Sequence, residues 1–135
     1  MITADAADVL CFSSYWVGGI QSFVTLTRTA ELAGVKMCKH TYGEFGIAAV
    51  AHQHALLALG DGSRGHQQTA SVMEDDILQS DIPIRTQPLS GEIDAPGLGI
   101  KVDADKLDHY HKLFLADGQF LPWAATVERP HHFQT

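Results

Sequence analysis

Two consecutive strand–helix units between residues 7 and 59 constrain the fold of this chain more than any other feature of its sequence. Each unit has an apolar strand that is followed by a loop and an amphipathic helix. The expected bounds are strand 7–12, loop 13–19 and helix 20–33 in the first unit, and strand 35–39 and helix 47–59 in the second. This succession predicts an α/β protein with parallel strands, in a sheet that is either open or closed into a barrel.

Each of the two helices carries an apolar face at the helical spacing i, i+3, i+4 and i+7. These faces are Ile20, Phe23, Val24, Thr27 and Ala30 in the first helix, and Ile47, Val50, Ala51, His54, Ala55 and Ala58 in the second. Gly34 and Gly60 follow the helices, at the position where a left-handed residue ends a helix. The strand over 7–12 is apolar apart from Asp8, which predicts that both of its faces are buried.

The length of 135 residues gives room for one ordinary domain, and 45% hydrophobic with 19% charged residues is a globular composition. A formal net charge of -7 with scattered Lys and Arg argues against a nucleic-acid partner. No apolar run approaches the roughly 18 residues of a membrane span, and the first residues do not resemble a signal peptide. We therefore expect a cytoplasmic protein without a membrane partner, in which Cys11 and Cys38 are buried free thiols rather than a disulfide.

After Leu59 the sequence becomes rich in turn-forming residues. Residues 66–70 are a candidate short third strand. Glu74–Asp76 reads as the solvated acidic first turn of a helix, where the carboxylates would complement the helix dipole. Asp103 is a good N-cap for a helix that reaches about Ala116. The apolar face of that helix is Leu107, Tyr110, Leu113 and Phe114.

Several pieces of the sequence, taken in order, carry a family resemblance. They are Ala7-Asp8-Val9-Leu10, Trp16-Val17-Gly18-Gly19-Ile20, Gly34-Val35 leading to His40, Glu44, and Ala95-Pro96-Gly97-Leu98-Gly99-Ile100-Lys101-Val102-Asp103. This succession resembles the C-terminal third of an enolase-superfamily enzyme, in the group of mandelate racemase, muconate lactonizing enzyme and the sugar-acid dehydratases. The resemblance covers residues 7 to about 115.

The resemblance implies an α/β fold made of the C-terminal βα units of a (β/α)7β TIM-like barrel, plus a C-terminal extended segment and helix. Residues 1–80 would form a partial barrel of two βα units and a short last strand. Residues 81–135 would form the extended segment, the helix and a tail, and would pack back on the barrel or on the family's capping domain.

Enzymes of this family abstract the proton α to a substrate carboxylate, and they include dehydratases, racemases and isomerases of acid sugars or hydroxy acids. They bind Mg²⁺ through three acidic residues on mid-barrel strands. By this resemblance His40 takes the place of the histidine that acts as general acid or base, and the partner is a carboxylate-bearing small molecule. An imidazole suits that role because it titrates near neutral pH and its neighbours can tune it.

The resemblance also implies substrate-binding residues around the histidine. Ser13 falls where racemase-like members have an aspartate, and a serine can orient an imidazole but cannot stabilise an imidazolium as a carboxylate does. Gln67 or Gln68 stands where the last strand brings a glutamate to the substrate, and an amide can donate a hydrogen bond to a developing enolate oxygen. The alternative is that both glutamines are polar strand-end residues without chemistry. Lys39 and Glu44 are expected near the mouth of the barrel.

The family's paired lysine bases and metal carboxylates lie on strands that would precede Ala7. Mg²⁺ is therefore implied by the family, but we expect none of its ligands in this chain. His52 and His54 are two residues apart on a helix and so face different ways. A full barrel takes about 250 residues, and two or three of its strands alone would leave unpaired edges.

Three interpretations stay open from the sequence. In the first, the chain is the C-terminal portion of an enzyme, completed by a companion chain with the rest of the barrel, and it joins a homo-oligomer as barrels of this group often do. In the second, it is a catalytically inactive truncated fragment or a protein-interaction module. In the third, it has a compact fold of its own, such as an open sheet that binds a phosphate, although the loop over 13–19 lacks the spacing of a phosphate-binding loop.

Overall fold

The computed structural model describes residues 6–41, 43–59, 65–70, 73–82 and 93–118 of the chain. The regular elements in these residues are β1 (Val9–Phe12), α1 (Ser14–Val17), α2 (Ile20–Leu32), β2 (Lys36–Lys39), α3 (Gly46–Leu59) and α4 (Ala104–Asp117). The chain forms two units, residues 1–102 and residues 103–135. Gly60 and the tail from residue 119 onward lie outside the described residues.

The strands β1 and β2 pair in parallel, as predicted, in a register that runs from Val9 opposite Lys36 to Phe12 opposite Lys39. The ladder continues one step beyond β2, because the His40 amide donates to the Phe12 carbonyl over 2.9 Å. The βαβ succession therefore forms a small parallel sheet, which confirms the α/β class.

The helix α2 buries the predicted apolar face and is terminated by the predicted glycine. Phe23, Thr27 and Ala30 are buried. Gly34 has a φ of +78°, and its amide donates to the Glu31 carbonyl over 2.9 Å. A glycine takes this left-handed conformation without strain, and so it ends the helix where the sequence predicts.

The predicted buried face of α3 is wrong by about one residue. The buried residues are Gly46, Ala49, Val50, His52, Ala55 and Leu59, whereas Ile47 and Ala58 are exposed. Apolar residues occur almost all round this helix, so their spacing cannot select one face, and the neighbouring elements decide which face is covered. His52 is the main consequence, since it turns inward rather than outward.

Burial of both faces of β1 is a second prediction that the structure corrects. Phe12 packs edge-on against Phe23, with ring centroids 5.4 Å apart, in a cluster with Met37 on β2. On the opposite face Val9 is 39% exposed and Cys11 is also exposed. On that same face, Cys38 of β2 is only partly exposed, and its thiol contacts the Gly65 carbonyl at 3.0 Å.

The loop predicted over 13–19 contains the one-turn helix α1. The turn closes on itself, because the Trp16 amide donates to the Ser13 carbonyl over 3.2 Å and the Gly19 amide donates to the Ser14 carbonyl over 2.7 Å. Gly18 and Gly19 both have positive φ values, +92° and +106°. These two glycines let the chain reverse from α1 directly into α2.

Residues 66–70 do not form the predicted third strand, although they lie beside β2. The Gln67 amide donates to the Lys39 carbonyl over 3.0 Å, as in a ladder. The Lys39 amide, however, donates to the His66 ring nitrogen Nδ1 over 3.1 Å instead of to a carbonyl. The histidine side chain therefore occupies a ladder position and interrupts the strand.

Glu74–Asp76 is not the solvated start of a helix. Asp76 is buried, and its carboxylate accepts hydrogen bonds from the Gly46 amide at 2.9 and 3.0 Å and from its own neighbour, the Ile77 amide, at 2.7 Å. The carboxylate thus caps the N-terminus of α3 from a distant part of the chain.

The helix α4 begins where the sequence predicts. The Asp103 carboxylate accepts hydrogen bonds from the Asp105 and Lys106 amides at 3.0 and 3.1 Å, which satisfies two of the free donors at the helix start. None of the residues of α4 is buried, and Phe114 is 57% exposed. Among the described helices of the chain, none combines the length and apolarity needed to cross a bilayer.

Candidate active site

His40 and Ser13 lie at the same edge of the sheet. Each follows the last residue of its strand, and those last residues, Phe12 and Lys39, are partners in the register. Because the ladder reaches the His40 amide, the two side chains start from neighbouring positions at the C-terminal ends of parallel strands. This edge is where α/β enzymes carry their chemistry.

Both members of this pair have a buried polar atom without a hydrogen-bond partner among the described residues, Ser13 Oγ and His40 Nδ1. Ser13 is fully buried, and although it precedes α1 its hydroxyl does not cap that helix. An unsatisfied buried polar atom costs about 1–3 kcal/mol. The arrangement therefore leaves two atoms at adjacent positions that are free to bond each other or a bound molecule.

Trp16 from α1 stacks on the His40 ring, with centroids 4.5 Å apart and an interplanar angle of 28°. The indole is 61% exposed, so the stack lies at the surface of this unit. Trp16 belongs to the family-like segment of the sequence, but nothing in its spacing indicates a contact with His40. The one-turn helix α1 brings it there, because Trp16 lies one helical turn after Ser13 and its amide bonds the Ser13 carbonyl.

Lys39 and Glu44 form a buried ion pair, with 2.7 Å between Lys39 Nζ and Glu44 Oε2. The ammonium also donates to the Gln67 carbonyl over 3.1 Å. Burial lowers the pKa of the Lys39 ammonium below its ordinary value, and the Glu44 carboxylate offsets only part of that effect. The structure brings these two predicted residues together beside His40, and their contact with substrate stays a prediction.

The second oxygen of Glu44 faces His52, which is 1% exposed. Glu44 Oε1 lies 3.1 Å from His52 Nδ1, and the Ser14 amide donates to His52 Nε2 over 3.2 Å. Burial alone would raise the pKa of the Glu44 carboxyl, but His52 and Lys39 together outweigh it, so that the pKa lies below its ordinary value. The sequence pattern does not indicate His52, because the apolar spacing of α3 points to a different buried face.

The two candidate glutamines differ in position. Gln67 is exposed, and its carbonyl Oε1 accepts a hydrogen bond from the Thr41 amide over 3.2 Å, so this side chain lies against the loop that follows His40. The Gln68 oxygen accepts from the Ala70 amide over 3.0 Å, within its own segment. The structure therefore brings Gln67 toward the histidine loop, while Gln68 serves a local turn.

The residues that the structure describes do not form a magnesium site. Within the described ranges, no three His, Cys, Asp or Glu side chains converge as metal ligands would. The two buried carboxylates among these residues are engaged otherwise, since Glu44 pairs with Lys39 and Asp76 caps α3. We therefore assign no chemical step of this chain to a metal ion.

Comparison with known proteins gives a consistent result. Residues 1–106 match the family model described as enolase C-terminal domain-like. An enolase from Streptomyces coelicolor, solved without magnesium and with an ordered loop, is 32% identical with a TM-score of 0.73. The alignment with that enolase covers 87% of this chain and 31% of the enolase. An isomerase from Streptomyces coelicolor A3(2) is 32% identical with a TM-score of 0.68, over 83% of this chain and 30% of the isomerase.

An enolase from Pseudomonas fluorescens Pf0-1, solved with bound magnesium, potassium and tartrate, shares the fold at 20% identity and a TM-score of 0.68. That alignment covers 87% of this chain and 28% of the enolase. No curated protein matches this chain. The chain thus spans less than a third of the length of each of these three solved structures. The chain belongs to the enolase superfamily, and the match lies in the C-terminal domain of that family.

Proposed function

We propose that this chain is the C-terminal part of an enolase-superfamily enzyme that moves the proton α to a carboxylate, as a dehydratase or as a racemase or isomerase, with His40 as the general acid or base. The observation that carries this proposal is the pair at the sheet edge. His40 and Ser13 follow paired strand ends, and each has a buried polar atom without a partner among the described residues. The two relatives at 32% identity, an enolase and an isomerase, support the same class of chemistry.

In this proposal Ser13 orients the imidazole. A hydrogen bond from His40 Nδ1–H to Ser13 Oγ would fix the neutral tautomer and leave Nε2 with a free lone pair, which is the state a general base needs. The stack with Trp16 would hold the plane of the ring. A neutral hydroxyl does not stabilise an imidazolium as a carboxylate does, so we expect a weaker base than in relatives with an aspartate.

The rest of the barrel, in this proposal, is supplied by a companion part that carries the remaining strands of the (β/α)7β barrel, the lysine bases and the Mg²⁺ ligands. The exposed face of β1, with Val9 and Cys11, supports this because a barrel interior would cover it. When bound there, the metal would stabilise negative charge on the substrate carboxylate. Gln67 is the exposed member of the predicted substrate-binding set, and we place it toward the substrate.

The test is α-proton exchange in D₂O, followed by ¹H NMR, with a panel of acid sugars and hydroxy acids. The protein tested is the assembly of this chain with the rest of the barrel. His40→Ala should abolish exchange, while His111→Ala, on the exposed surface of α4, should leave it unchanged. Exchange at the wild-type rate in a folded His40→Ala protein would refute the role of His40.

A second candidate function is a non-enzymatic interaction module. It is favoured by one observation, namely that no metal-ligand cluster occurs among the described residues. No exchange with any substrate in the wild-type assembly, together with no Mg²⁺ binding by calorimetry, would select this second candidate.

A further inference from the structure

A continuous set of buried polar contacts joins the two strand ends of the candidate site. Lys39, the residue before His40, contacts Glu44 at 2.7 Å, and Glu44 lies 3.1 Å from His52. His52 in turn accepts from the amide of Ser14, the residue after Ser13, at 3.2 Å. The set therefore runs from the neighbour of one candidate catalytic residue to the neighbour of the other.

The hydrogen-bonding roles within this set follow from chemistry. A backbone amide can only donate, so His52 Nε2 must be the acceptor for Ser14 and carries no proton. In the neutral imidazole the proton is then on Nδ1, which faces Glu44 Oε1. Glu44 has a lowered pKa and is a carboxylate, so it can accept from His52 on one oxygen and from Lys39 on the other. The Lys39–Glu44 and Ser14–His52 contacts are hydrogen bonds, whereas His52 Nδ1 and Glu44 Oε1 lie 3.1 Å apart as an ion-pair contact without hydrogen-bond alignment.

The contact between His52 and Ser14 ties α1 to α3. The other hydrogen bonds of the turn, from the Trp16 and Gly19 amides, stay within residues 13–19. They shape the turn but do not reach the neighbouring helix α3, which the turn contacts through His52, both at the Ser14 amide and edge-on at the Tyr15 ring with centroids 6.1 Å apart. A buried ion pair adds little net stability, because desolvation offsets the attraction. The consequence of this set is therefore mainly the placement of the turn.

We propose that His52 is a positioning residue for the His40 site. Its imidazole, held by Glu44 and Lys39, holds the Ser14 amide and so places the adjacent Ser13 hydroxyl beside His40. This inference rests on the proposed function of His40 and Ser13. It adds a residue on α3 that has no contact with substrate in this account and acts only through the turn.

Two substitutions separate the two contacts of His52. His52→Gln keeps an acceptor at about the place of Nε2 for the Ser14 amide but removes the donor that faces Glu44. His52→Asn keeps a donor at about the place of Nδ1 but is too short to reach Ser14. Both variants replace the same buried ring by an amide, so each is the matched control of the other.

The first readout is spectroscopic and needs no turnover. In ¹H–¹⁵N spectra of this chain, His52 should be the Nδ1–H tautomer, and the Ser14 amide should be protected from solvent exchange. His52→Asn should lower that protection roughly tenfold, the size expected for loss of one hydrogen bond, while His52→Gln should retain most of it. An Nε2–H tautomer in the wild-type chain, or unchanged Ser14 protection in His52→Asn, would overturn the inference.

The second readout is α-proton exchange in the assembled protein. His52→Asn should lower kcat roughly tenfold with little change in KM, and His52→Gln should restore most of kcat. Equal loss in both variants would show that His52 acts on stability alone. If His52→Asn does not fold, the His52 tautomer in the wild-type chain and the kcat of His52→Gln still test the positioning role of His52. If His40→Ala retains exchange while the spectroscopic results hold, the proposed function fails and the placement of the turn by His52 stands.

Discussion

Trp16 lies almost flat on His40, with ring centroids 4.5 Å apart and 28° between the ring planes. The two residues come from different strand–loop units, and the register of β1 with β2 brings those units together. The stack restrains the plane of the imidazole from one side. Ser13 provides the only other candidate restraint that we assign to the ring.

Removal of the indole should therefore affect catalysis more than folding. In Trp16→Ala we expect the α-proton exchange rate to fall about twofold to tenfold, the range that corresponds to one aromatic contact. The melting temperature should change little, because Trp16 is 61% exposed. Trp16→Phe is the control that keeps an aromatic ring and should retain most of the activity. A large fall in melting temperature with unchanged exchange would contradict this role.

Substitution of Ser13 should lower activity without lowering stability, whereas substitution of a purely structural residue should do the reverse. The buried Ser13 hydroxyl has no hydrogen-bond partner in the part of the chain that the structure describes, so Ser13→Ala should leave the free energy of unfolding unchanged or raise it by about 1 kcal/mol. The same change should lower α-proton exchange severalfold. Urea denaturation and exchange kinetics measure the two effects. Ser14→Ala, which keeps the backbone amide that bonds His52, is the neighbouring control. Clear destabilisation by Ser13→Ala with normal exchange would argue against the orienting role.

The ion pair of Lys39 and Glu44 predicts how stability depends on pH. The folded-state pKa of Glu44 lies below its ordinary value of 4.5, so the unfolded chain binds more protons in the acid range. The contribution of the Glu44 carboxylate to the free energy of unfolding is fully present above pH 4.5 and is lost as the pH falls through its folded-state pKa. The pKa of Lys39 is also lowered, from 10.5, so stability should rise as the pH approaches 10.5 from the folded-state value.

Urea denaturation from acid to alkaline pH tests both the rise in the free energy of unfolding assigned to Glu44 and the rise assigned to Lys39. A single change, Glu44→Gln, should cost about 3–5 kcal/mol because it leaves a buried ammonium unpaired. The double variant Lys39→Met with Glu44→Leu should cost less than Glu44→Gln, about 1–3 kcal/mol because the buried His52 loses the carboxylate that it faces, and should lack this part of the acid slope. An acid slope in the double variant as steep as that of the wild type would assign the pH dependence to other groups.

Cys11 and Cys38 face each other across the strand pair. Cys11 is exposed overall, but partial desolvation of its thiol raises the thiol pKa, and the neighbouring Cys38 raises it further. Cys38→Ala should therefore increase the rate at which iodoacetamide alkylates Cys11 at about pH 8, because more of the thiol is ionised. Mass spectrometry of the modified peptide gives the rate, with free cysteine as the reference. A slower reaction of Cys11 in Cys38→Ala would contradict the assigned cause.

The sequence predicts the two strand–helix units well because their periodicity is local. The bounds of α2 and its glycine end depend on Ile20, Phe23 and Gly34 alone. The position of His40 at the end of β2 follows from the same local pattern. The bounds of α2 and the position of His40 do not depend on which elements pack against each other in the fold.

The remaining parts depend on tertiary contacts that a pattern of residue types does not contain. The inward turn of His52 is set by the elements around α3, because that helix is apolar on nearly every side. Asp76 caps a helix that begins 30 residues earlier, and His66 replaces a carbonyl in the ladder of β2. Each of these is a contact between distant residues, and none has a sequence signature of its own.

The most direct test of the account is α-proton exchange by the assembled protein in D₂O, measured for the wild type, His40→Ala and His111→Ala with the same substrate. We expect His40→Ala to lose at least about a hundredfold in exchange rate, the lower range for removal of a general acid or base, while His111→Ala matches the wild type. A His40→Ala protein that is folded and exchanges the α-proton at the wild-type rate would contradict the account.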